Sequence, residues 1–388
     1  MRLTPKGFRR FKSSRLRDAL SLSMTKKITF VLNARYPTEK AYGVTTSLTA
    51  KAIEETGMYS VEVVTPKLDR NHEGFINTVE VGIPFQAIYS HVIEKKNILG
   101  PYIFNIWKLF YPIRLITVLK RKNNLIWLRD IYTALVLSLL GYKTVCEIHR
   151  TPSFMNRIML SVLKMQPKAT VIVISENLQE KLKMSKSDTV VAPMAVNQSE
   201  ILGKKQKMLN NKIIVGYIGS PHSSGVKLSL QSIIEAALIF KKSNLNICFR
   251  LVGINKIDFK SIDFPSNIEF VGRVPRSKSL KAIDDFDIGL VIYPDDKYFV
   301  DSFPIKIVEY AARCIPIIAS NTTAHKNILG GEKALFFDLS SADSLANCIV
   351  DLLNDSTKRE SIILNASCWV QQLTYQKRIE KVLLKAKF

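Results

Sequence analysis

The chain contains two successive series of short apolar runs that alternate with helical patterns. The runs of the first series occupy residues 27–33, 61–65, 125–128, 144–148, 171–174 and 189–192. Those of the second series occupy residues 213–219, 247–252, 268–271, 288–293, 315–319 and 335–337. Strands that alternate with helices form parallel sheets with both faces covered. The polar, basic stretch 197–212 has no period and separates the series, so the sequence predicts an α/β protein with two parallel sheets.

The segment DSFPIKIVEYAARCIPIIAS, residues 301–320, predicts a helix that begins beside the carboxyl end of a buried strand. Asp301 or Ser302 is the predicted helix cap, and Pro304 falls in the first turn, where it needs no N–H partner. The helix dipole and the Lys306 ammonium favour a phosphate at this end. Glu309, one turn later, can accept hydrogen bonds from a sugar diol. The alternative is a plain cap followed by a surface ion pair between Lys306 and Glu309.

Several segments resemble retaining glycosyltransferases of family 4. SFPIKIVEYAA is similar to the family's SP-x-K-x-x-EYMA variant, and Asp301 and Glu309 have the eight-residue spacing of its acidic pair. The other similar segments are RYPTEKAYGVTTSLTAKAIEETG, VCEIHRTP, VAPMAVN, IGSPHSSG and FVGRVPRSKSLKAIDDFDIGLVIYP. Together they cover about residues 26–385 in the family's order. The resemblance implies the GT-B fold, in which two Rossmann-like parallel-sheet domains face a central cleft.

The resemblance also implies roles for single residues. The implied catalytic residues are His149, Asp301 and Lys306. The implied donor-binding residues are Gly43, Gly219, Ser220, Lys227, Ser302, Phe303, Pro304, Ile305 and Glu309. The implied reaction moves a sugar from a nucleoside-diphosphate sugar to a hydroxyl of a glycan or lipid-linked acceptor, with no cofactor and no required metal. We interpret DFD, residues 285–287, as a helix-to-strand junction and not as a metal site.

The chain departs from the family pattern in one loop. Most relatives have Arg and Lys after the first strand of the second domain, whereas residues 219–225 read GSPHSSG. Lys227 and Lys306 are the candidates to replace these charges, because a diphosphate leaving group needs a cation in a site without metal. The alternative function is a catalytically impaired GT-B protein that acts as a basic membrane- or glycan-binding module.

The predicted domain organisation has five parts. They are a basic extension at 1–25, an acceptor-binding domain at 26–197, a linker at 198–212, a nucleotide-sugar-binding domain at 213–365 and a helix at 366–388 that crosses back to the first domain. Five widely spaced cysteines, an odd number without a CxxC pair, favour a reducing, cytoplasmic setting. The apolar run 131–142 is too short to span a bilayer and predicts a buried helix.

The formal net charge of +23 requires an anionic partner or a large solvated basic surface. Residues 1–23 contain seven basic side chains and one acid, which is typical of a basic amphipathic helix on a membrane. The alternatives are a solvated tail or an overlong gene start with Met24 as the true first residue. Residues 97–124 mix aromatic and basic side chains, which favours either docking on an anionic membrane or a core helix with a charged outer face. No nucleic-acid-binding motif is present, so we expect no nucleic-acid partner.

Overall fold

The computed structural model describes residues 26–34, 36–38, 41–67, 77–81, 100–203, 212–220, 222–223, 226–227, 230–243, 245–259, 262–296 and 299–388. The predictions for residues 1–25 therefore lie outside the described residues. The described residues divide into two compact units. One comprises the residues up to Glu147, Ser153–Val171 and Ala386–Phe388, and the other comprises Ile148–Pro152 and Ile172–Lys385.

In the described residues the first sheet has seven strands in the order β3-β2-β1-β4-β5-β6-β7. They are β1 Lys26–Val31, β2 Tyr59–Pro66, β3 Thr78–Val81, β4 Asn124–Leu128, β5 Lys143–Ile148, β6 Ala169–Val173 and β7 Thr189–Val191. Strand β1 pairs in parallel with β2 and with β4, β2 pairs in parallel with β3, and β4 with β5. All five residues of β4 are buried, as expected of a strand with both faces covered.

The described helices of the first half connect these strands. They are α1 Ala41–Glu54, α2 Gly100–Val118, α3 Ile131–Leu139, α4 Phe154–Lys164 and α5 Glu176–Lys181. Asp130 caps α3 by accepting the Thr133 N–H, and Ser175 caps α5 through the Leu178 N–H. No helix of the described residues is long and apolar enough to cross a membrane.

The second sheet, as far as the structure describes it, has six strands in the order β12-β11-β8-β13-β14-β15. They are β8 Ile213–Ile218, β11 Ile247–Val252, β12 Ile268–Gly272, β13 Ile288–Val291, β14 Ile317–Ser320 and β15 Leu335–Phe337. All of its neighbouring strands are parallel. A small antiparallel hairpin, β9 His222–Ser223 and β10 Val226–Lys227, follows the central strand β8.

The described residues of the second half also form seven α-helices. They are α6 Gln231–Lys241, α7 Arg276–Ser279, α8 Ile305–Ala312, α9 Thr323–Leu329, α10 Ala342–Asn354, α11 Ser356–Val370 and α12 Tyr375–Ala386. Apolar clusters cover both sides of the sheet. One contains Phe249 and Leu290 and the other contains Phe286 and Ile317.

The predicted α/β class with two parallel sheets is confirmed. Differences from the sequence predictions are local. Strand β3 was not predicted, because its four residues TVEV are mostly half-buried or exposed and give little apolar signal. Strand β14 begins at Ile317 and not at residue 315, since Cys314 has a φ of 53° and the chain is still turning there. The predicted buried helix at 131–142 ends at Leu139, and Leu139 and Leu140 are exposed.

Candidate functional site

Helix α8 begins at Ile305, and Pro304 is its cap residue, with no side-chain capping bond. The prediction that Asp301 or Ser302 caps this helix is therefore wrong. The Ser302 hydroxyl instead donates to the Phe299 carbonyl, 2.8 Å away, within the preceding turn. The helix still leaves its first N–H groups without intrahelical partners, so its end remains suited to an anion.

The Asp301 carboxylate is buried and holds a neighbouring segment in place. Its Oδ2 accepts hydrogen bonds from the Thr151 N–H at 2.9 Å and the Thr151 hydroxyl at 2.6 Å. Its Oδ1 lies 2.6 Å from Lys181 Nζ. Burial alone would raise the pKa of Asp301, but the bonds from Lys181 and Thr151 outweigh it and lower the pKa below its usual value. Asp301 therefore binds the segment that carries His149, two residues before Thr151.

The Lys306 side chain is buried, although the sequence suggested a cation at the open helix end. Among the described residues its Nζ has no hydrogen-bond partner, and it lies 3.8 Å from the Tyr217 ring centroid and 5.2 Å from that of Tyr293. The two ring faces supply cation–π attraction in place of hydrogen bonds. Burial lowers the pKa of Lys306 to about 7, although the Glu309 carboxylate acts in the opposite direction. Lys306 is therefore poised to gain a full charge when an anion approaches.

The turn after strand β8 lies directly on the Lys306 ammonium. Gly219 has a φ of +155°, and a Cβ at this position would lie 2.7 Å from Lys306 Nζ and 2.8 Å from Tyr217 Oη. Gly253 packs on the other side, where a Cβ would lie 2.4 Å from the Gly219 carbonyl oxygen. The close approach of this turn to a buried ammonium requires glycine.

We expect Gly219→Ala to destabilise the protein by about 1–3 kcal/mol, because the added methyl group meets Lys306 and Tyr217 in a strained backbone conformation. Urea unfolding measures the change. Gly331→Ala is the matched control, since a Cβ there meets nothing within 4 Å. Equal stability of the two variants would contradict the packing argument.

Glu309 is 2% exposed and forms an ion pair with Arg276, at the start of α7. The alternative prediction, a surface ion pair between Lys306 and Glu309, is therefore wrong. Burial alone lowers the pKa of Arg276, but the Glu309 carboxylate outweighs this and holds that pKa above its usual value. Sequence reasoning missed Arg276, because nothing in RVPRSKS indicates which of its basic side chains reaches a residue 33 positions later.

Three buried polar atoms in this region have no hydrogen-bond partner within the described part of the chain. They are Lys306 Nζ, Tyr217 Oη and His325 Nε2. His325 Nδ1 lies 2.8 Å from the Ser320 carbonyl oxygen, which makes Nδ1 the donor and leaves Nε2 as an acceptor. Burial lowers the pKa of His325 to about 4, so the ring is neutral at pH 7. Buried polar atoms are nearly always satisfied, so a bound polar molecule or water would complete the hydrogen bonds of these three atoms.

The remaining predicted residues have varied surroundings. His149 is half-buried just after β5, and Ser220 is exposed at the turn after β8. Phe303 stacks on Trp369 with ring centroids 6.3 Å apart, and Ile305 is half-buried at the helix start. Lys227 lies in β10, and its side chain is outside the described part.

Gly43 lies inside α1, within the other unit. A Cβ at this position would lie 2.4 Å from Thr38 Cγ2 and 2.7 Å from the Thr38 carbonyl oxygen. Close packing of the preceding loop therefore accounts for this glycine. Among the described residues, no group of three His, Cys, Asp or Glu side chains could hold a metal ion.

Comparisons with known proteins bear on the fold and on the residues of the second sheet. Residues 212–355 match the family described as Glycosyl transferases group 1. Sucrose-phosphate synthase (tll1590) from Thermosynechococcus elongatus has a similar structure, with 14% identity, a TM-score of 0.66, and coverage of 93% of this chain and 98% of that chain. The chain has the GT-B fold. The family match over the second sheet and this fold support a transferase enzyme.

Two further solved structures are similar. Anabaena Alr3699/HepE in complex with UDP and glucose has 14% identity and a TM-score of 0.63, with 93% and 99% of the two chains covered. WaaG, a glycosyltransferase involved in lipopolysaccharide biosynthesis, has 12% identity and a TM-score of 0.60, with 92% and 99% covered. No curated protein sequence matches the chain significantly.

Proposed function

We propose that the protein is a retaining glycosyltransferase, similar to family 4, that uses a nucleoside-diphosphate sugar and acts on a glycan or lipid-linked hydroxyl in cell-surface polysaccharide, glycan or glycolipid synthesis. The observation that carries the proposal is the buried Lys306 ammonium at the start of α8, which lies beneath the Gly219 turn and has no hydrogen-bond partner among the residues that the structure describes. The bound UDP of the structurally similar Alr3699/HepE supports a donor of this class.

In this proposal, the donor diphosphate lies on the Gly219–Ser220 turn and at the first N–H groups of α8. The helix dipole and Lys306 stabilise the negative charge that grows on the leaving diphosphate. Glu309, oriented by Arg276, accepts hydrogen bonds from the ribose hydroxyls. Asp301 keeps the segment of His149 in position near the donor sugar. The acceptor attacks the face from which the diphosphate departs, so the residues act by positioning and charge stabilisation.

A donor-dependent thermal shift tests the proposal. UDP-, GDP-, ADP- and CMP-sugars are screened, and we expect one nucleotide class to stabilise the protein, by about 2.7 kcal/mol at one hundred times its dissociation constant. NMR of the product then reports whether the anomeric configuration is retained. Product with inverted configuration would contradict the retaining mechanism.

We expect His149→Ala to lower turnover about 100-fold while donor-dependent stabilisation remains, because the ring is proposed to meet the sugar and not the nucleotide. Steady-state kinetics with the donor found in the screen measures the change. Thr151→Val removes the hydroxyl bond to Asp301 and keeps the His149 ring. Its turnover reports how much of the loss in His149→Ala comes from a shift of the segment that carries His149. Wild-type turnover in His149→Ala would remove this residue from the mechanism.

The second candidate is a catalytically impaired module of the same fold that binds membranes or glycans. It is favoured by one observation, the absence of Arg and Lys from residues 219–225. Absence of stabilisation by every nucleotide sugar in the screen would support this candidate over the enzyme. Under either function we propose a cytoplasmic protein that associates peripherally with the inner face of the cell membrane.

A further inference from the structure

The exposed large apolar side chains of the protein are concentrated on one layer of helices. Of the twenty such side chains in the described part of the chain, twelve lie on α2, α3 and α4 or on the residue that follows α3 or α4. They are Ile106, Leu109, Phe110, Ile113, Val118, Leu139, Leu140, Phe154, Met155, Ile158, Val162 and Met165. Scattered apolar side chains are normal on a surface, whereas a concentration of this kind marks an interaction site.

The three helices lie side by side on one face of the first sheet. Helix α2 connects β3 to β4, α3 connects β4 to β5, and α4 connects β5 to β6, so all three crossovers move in the same direction along the sheet. Right-handed crossovers therefore place them on the same face. Helix α3 packs against both neighbours, and the Tyr132 hydroxyl of α3 donates to the Leu109 carbonyl of α2 at 3.2 Å. We call this layer the α2–α4 face.

The charge of the α2–α4 face is almost entirely positive. Residues 100–175 contain eleven Lys and Arg side chains and only two acids, Asp130 and Glu147. Asp130 caps α3, and Glu147 is buried and accepts the Trp127 N–H, so neither acid neutralises the outer surface. The basic side chains exposed there include Arg114, Arg157 and Lys164.

Helix α4 shows most clearly which kind of partner suits the α2–α4 face. It buries only Leu160 and Leu163 against the protein. Its outer side exposes 76% of Phe154 and 80% of the adjoining Met165. Large apolar groups that alternate with basic ones suit the boundary between headgroups and acyl chains, where the stems of Lys and Arg lie along apolar surface and their charges meet anionic lipid. A nucleic acid would complement the charge and leave the apolar groups in water.

We propose that the α2–α4 face docks on the surface of an anionic lipid bilayer. The inference does not depend on the proposed transfer reaction, because it uses no residue of the candidate site. The sequence-based hypothesis assigned membrane docking to residues 97–124 alone. The proposal extends the docking surface to α4, because Trp107 and Tyr111 of α2 are buried whereas α4 and the adjoining Met165 include the most exposed apolar side chains of this face.

Vesicle sedimentation of the full chain tests this proposal. The vesicles contain either phosphatidylglycerol with phosphatidylcholine or phosphatidylcholine alone, at low and at high salt. We expect binding to the anionic vesicles at low salt, with a large loss on neutral vesicles and at high salt, because the electrostatic attraction is screened. No binding to anionic vesicles at low salt, or equal binding to neutral ones, would overturn the proposal.

Paired substitutions assign the binding to this face. We expect Phe154→Gln with Met165→Gln to weaken the partition into anionic vesicles by about tenfold or more, because two large apolar groups no longer enter the interface. Leu364→Gln with Leu384→Gln is the matched control on α11 and α12, since these side chains are 61% and 80% exposed. All four positions are exposed, so neither pair should change the unfolding transition.

Three outcomes would overturn the assignment. Equal binding by both pairs of variants would show that the α2–α4 face does not dock. Complete loss of binding in a chain that starts at Met24, with no effect of Phe154→Gln and Met165→Gln, would assign the binding to residues 1–23. If the wild type does not bind vesicles and the α4 variants change oligomeric state, the α2–α4 face binds a second copy of the chain.

Discussion

Lys306→Met is expected to make the ligand-free protein more stable and to abolish its response to a nucleotide-sugar donor. Methionine is similar to lysine in length and fills the space between Tyr217 and Tyr293 without a charge. Folding of the wild-type protein buries this ammonium group fully, with no hydrogen-bond partner in the described part of the chain, and such burial is unfavourable. Removing that cost should raise the free energy of unfolding at pH 7, by an amount on the order of 4 kcal/mol.

The dependence on pH provides an independent measurement of the same group. Burial lowers the pKa of Lys306 from 10.5 to about 7. Between these values the unfolded chain binds more protons at this site than the folded chain, so the stability contributed by this group rises with pH. Below pH 7 both states are protonated, and the full cost remains. The stabilising effect of Lys306→Met should therefore be largest below pH 7 and should fade toward pH 10.

The functional loss follows from the same position. A diphosphate on the Gly219 turn would raise the pKa of Lys306, so donor binding should take up a proton near pH 7 to 8. Without the ammonium we expect turnover to fall about 100- to 1000-fold and the donor-dependent thermal shift to disappear. Kinetics and calorimetry in two buffers of different ionisation enthalpy measure both effects.

Lys326→Met is the matched control for this substitution. Lys326 is exposed on α9, so its removal should change neither stability nor donor response by a measurable amount. A Lys306→Met protein with wild-type turnover would show that the buried ammonium has no part in the reaction. A protein that is less stable than the wild type at pH 6 would show instead that the two rings already compensate its charge.

The strand and the helix that carry this site could be predicted from the sequence, because both form from local patterns. The apolar run before Gly219 predicts a strand, and the spacing of Lys306 and Glu309 places them on one helix. The partners of these residues depend on tertiary contacts that no pattern encodes. Tyr217 precedes Gly219 by two residues and Tyr293 follows another strand, yet their rings meet around one ammonium.

Asp301 illustrates the same limit. A carboxylate before a helix is usually a cap, which is what the sequence favoured. In the structure Thr151 and Lys181, 150 and 120 positions away, take both of its oxygens. The carboxylate accepts two hydrogen bonds from Thr151 and one from the charged Lys181 ammonium, which together outweigh the single bond of a helix cap, so the long-range contact prevails over the local preference. The sequence did not indicate His325 either, because the neutral state of its ring follows from burial, which lowers its pKa to about 4.

Glu309→Gln is expected to reduce donor binding strongly and stability moderately. The carboxylate is proposed to accept hydrogen bonds from the ribose, and loss of charge-assisted bonds of this kind costs about 1.5–3 kcal/mol each. We therefore expect donor affinity to fall by at least tenfold in the thermal-shift or calorimetric titration. Loss of the partner of Arg276 should lower the free energy of unfolding by about 1–3 kcal/mol, less than for a fully buried pair, because the Arg276 side chain is 29% exposed.

A double-mutant cycle separates the ion pair from the ribose contact. The variants are Glu309→Gln, Arg276→Gln and both together, and unfolding free energies give the coupling between the side chains. We expect a coupling of about 1–3 kcal/mol, against about 0–1 kcal/mol for the exposed pair of Lys358 and Asp351, which is the matched control. Because Arg276 is proposed only to orient Glu309, Arg276→Gln should lower donor affinity less than Glu309→Gln does.

The comparison of affinities decides the role of Glu309. If Glu309→Gln binds the donor as tightly as the wild type while the cycle shows strong coupling, the carboxylate is a structural partner of Arg276 and the ribose assignment is wrong. If Glu309→Gln and Arg276→Gln lose the same donor affinity, the intact ion pair maintains the shape of the site and neither side chain is shown to contact the donor. Only a larger loss for Glu309→Gln, beyond its effect on stability, fits a carboxylate that contacts the donor itself.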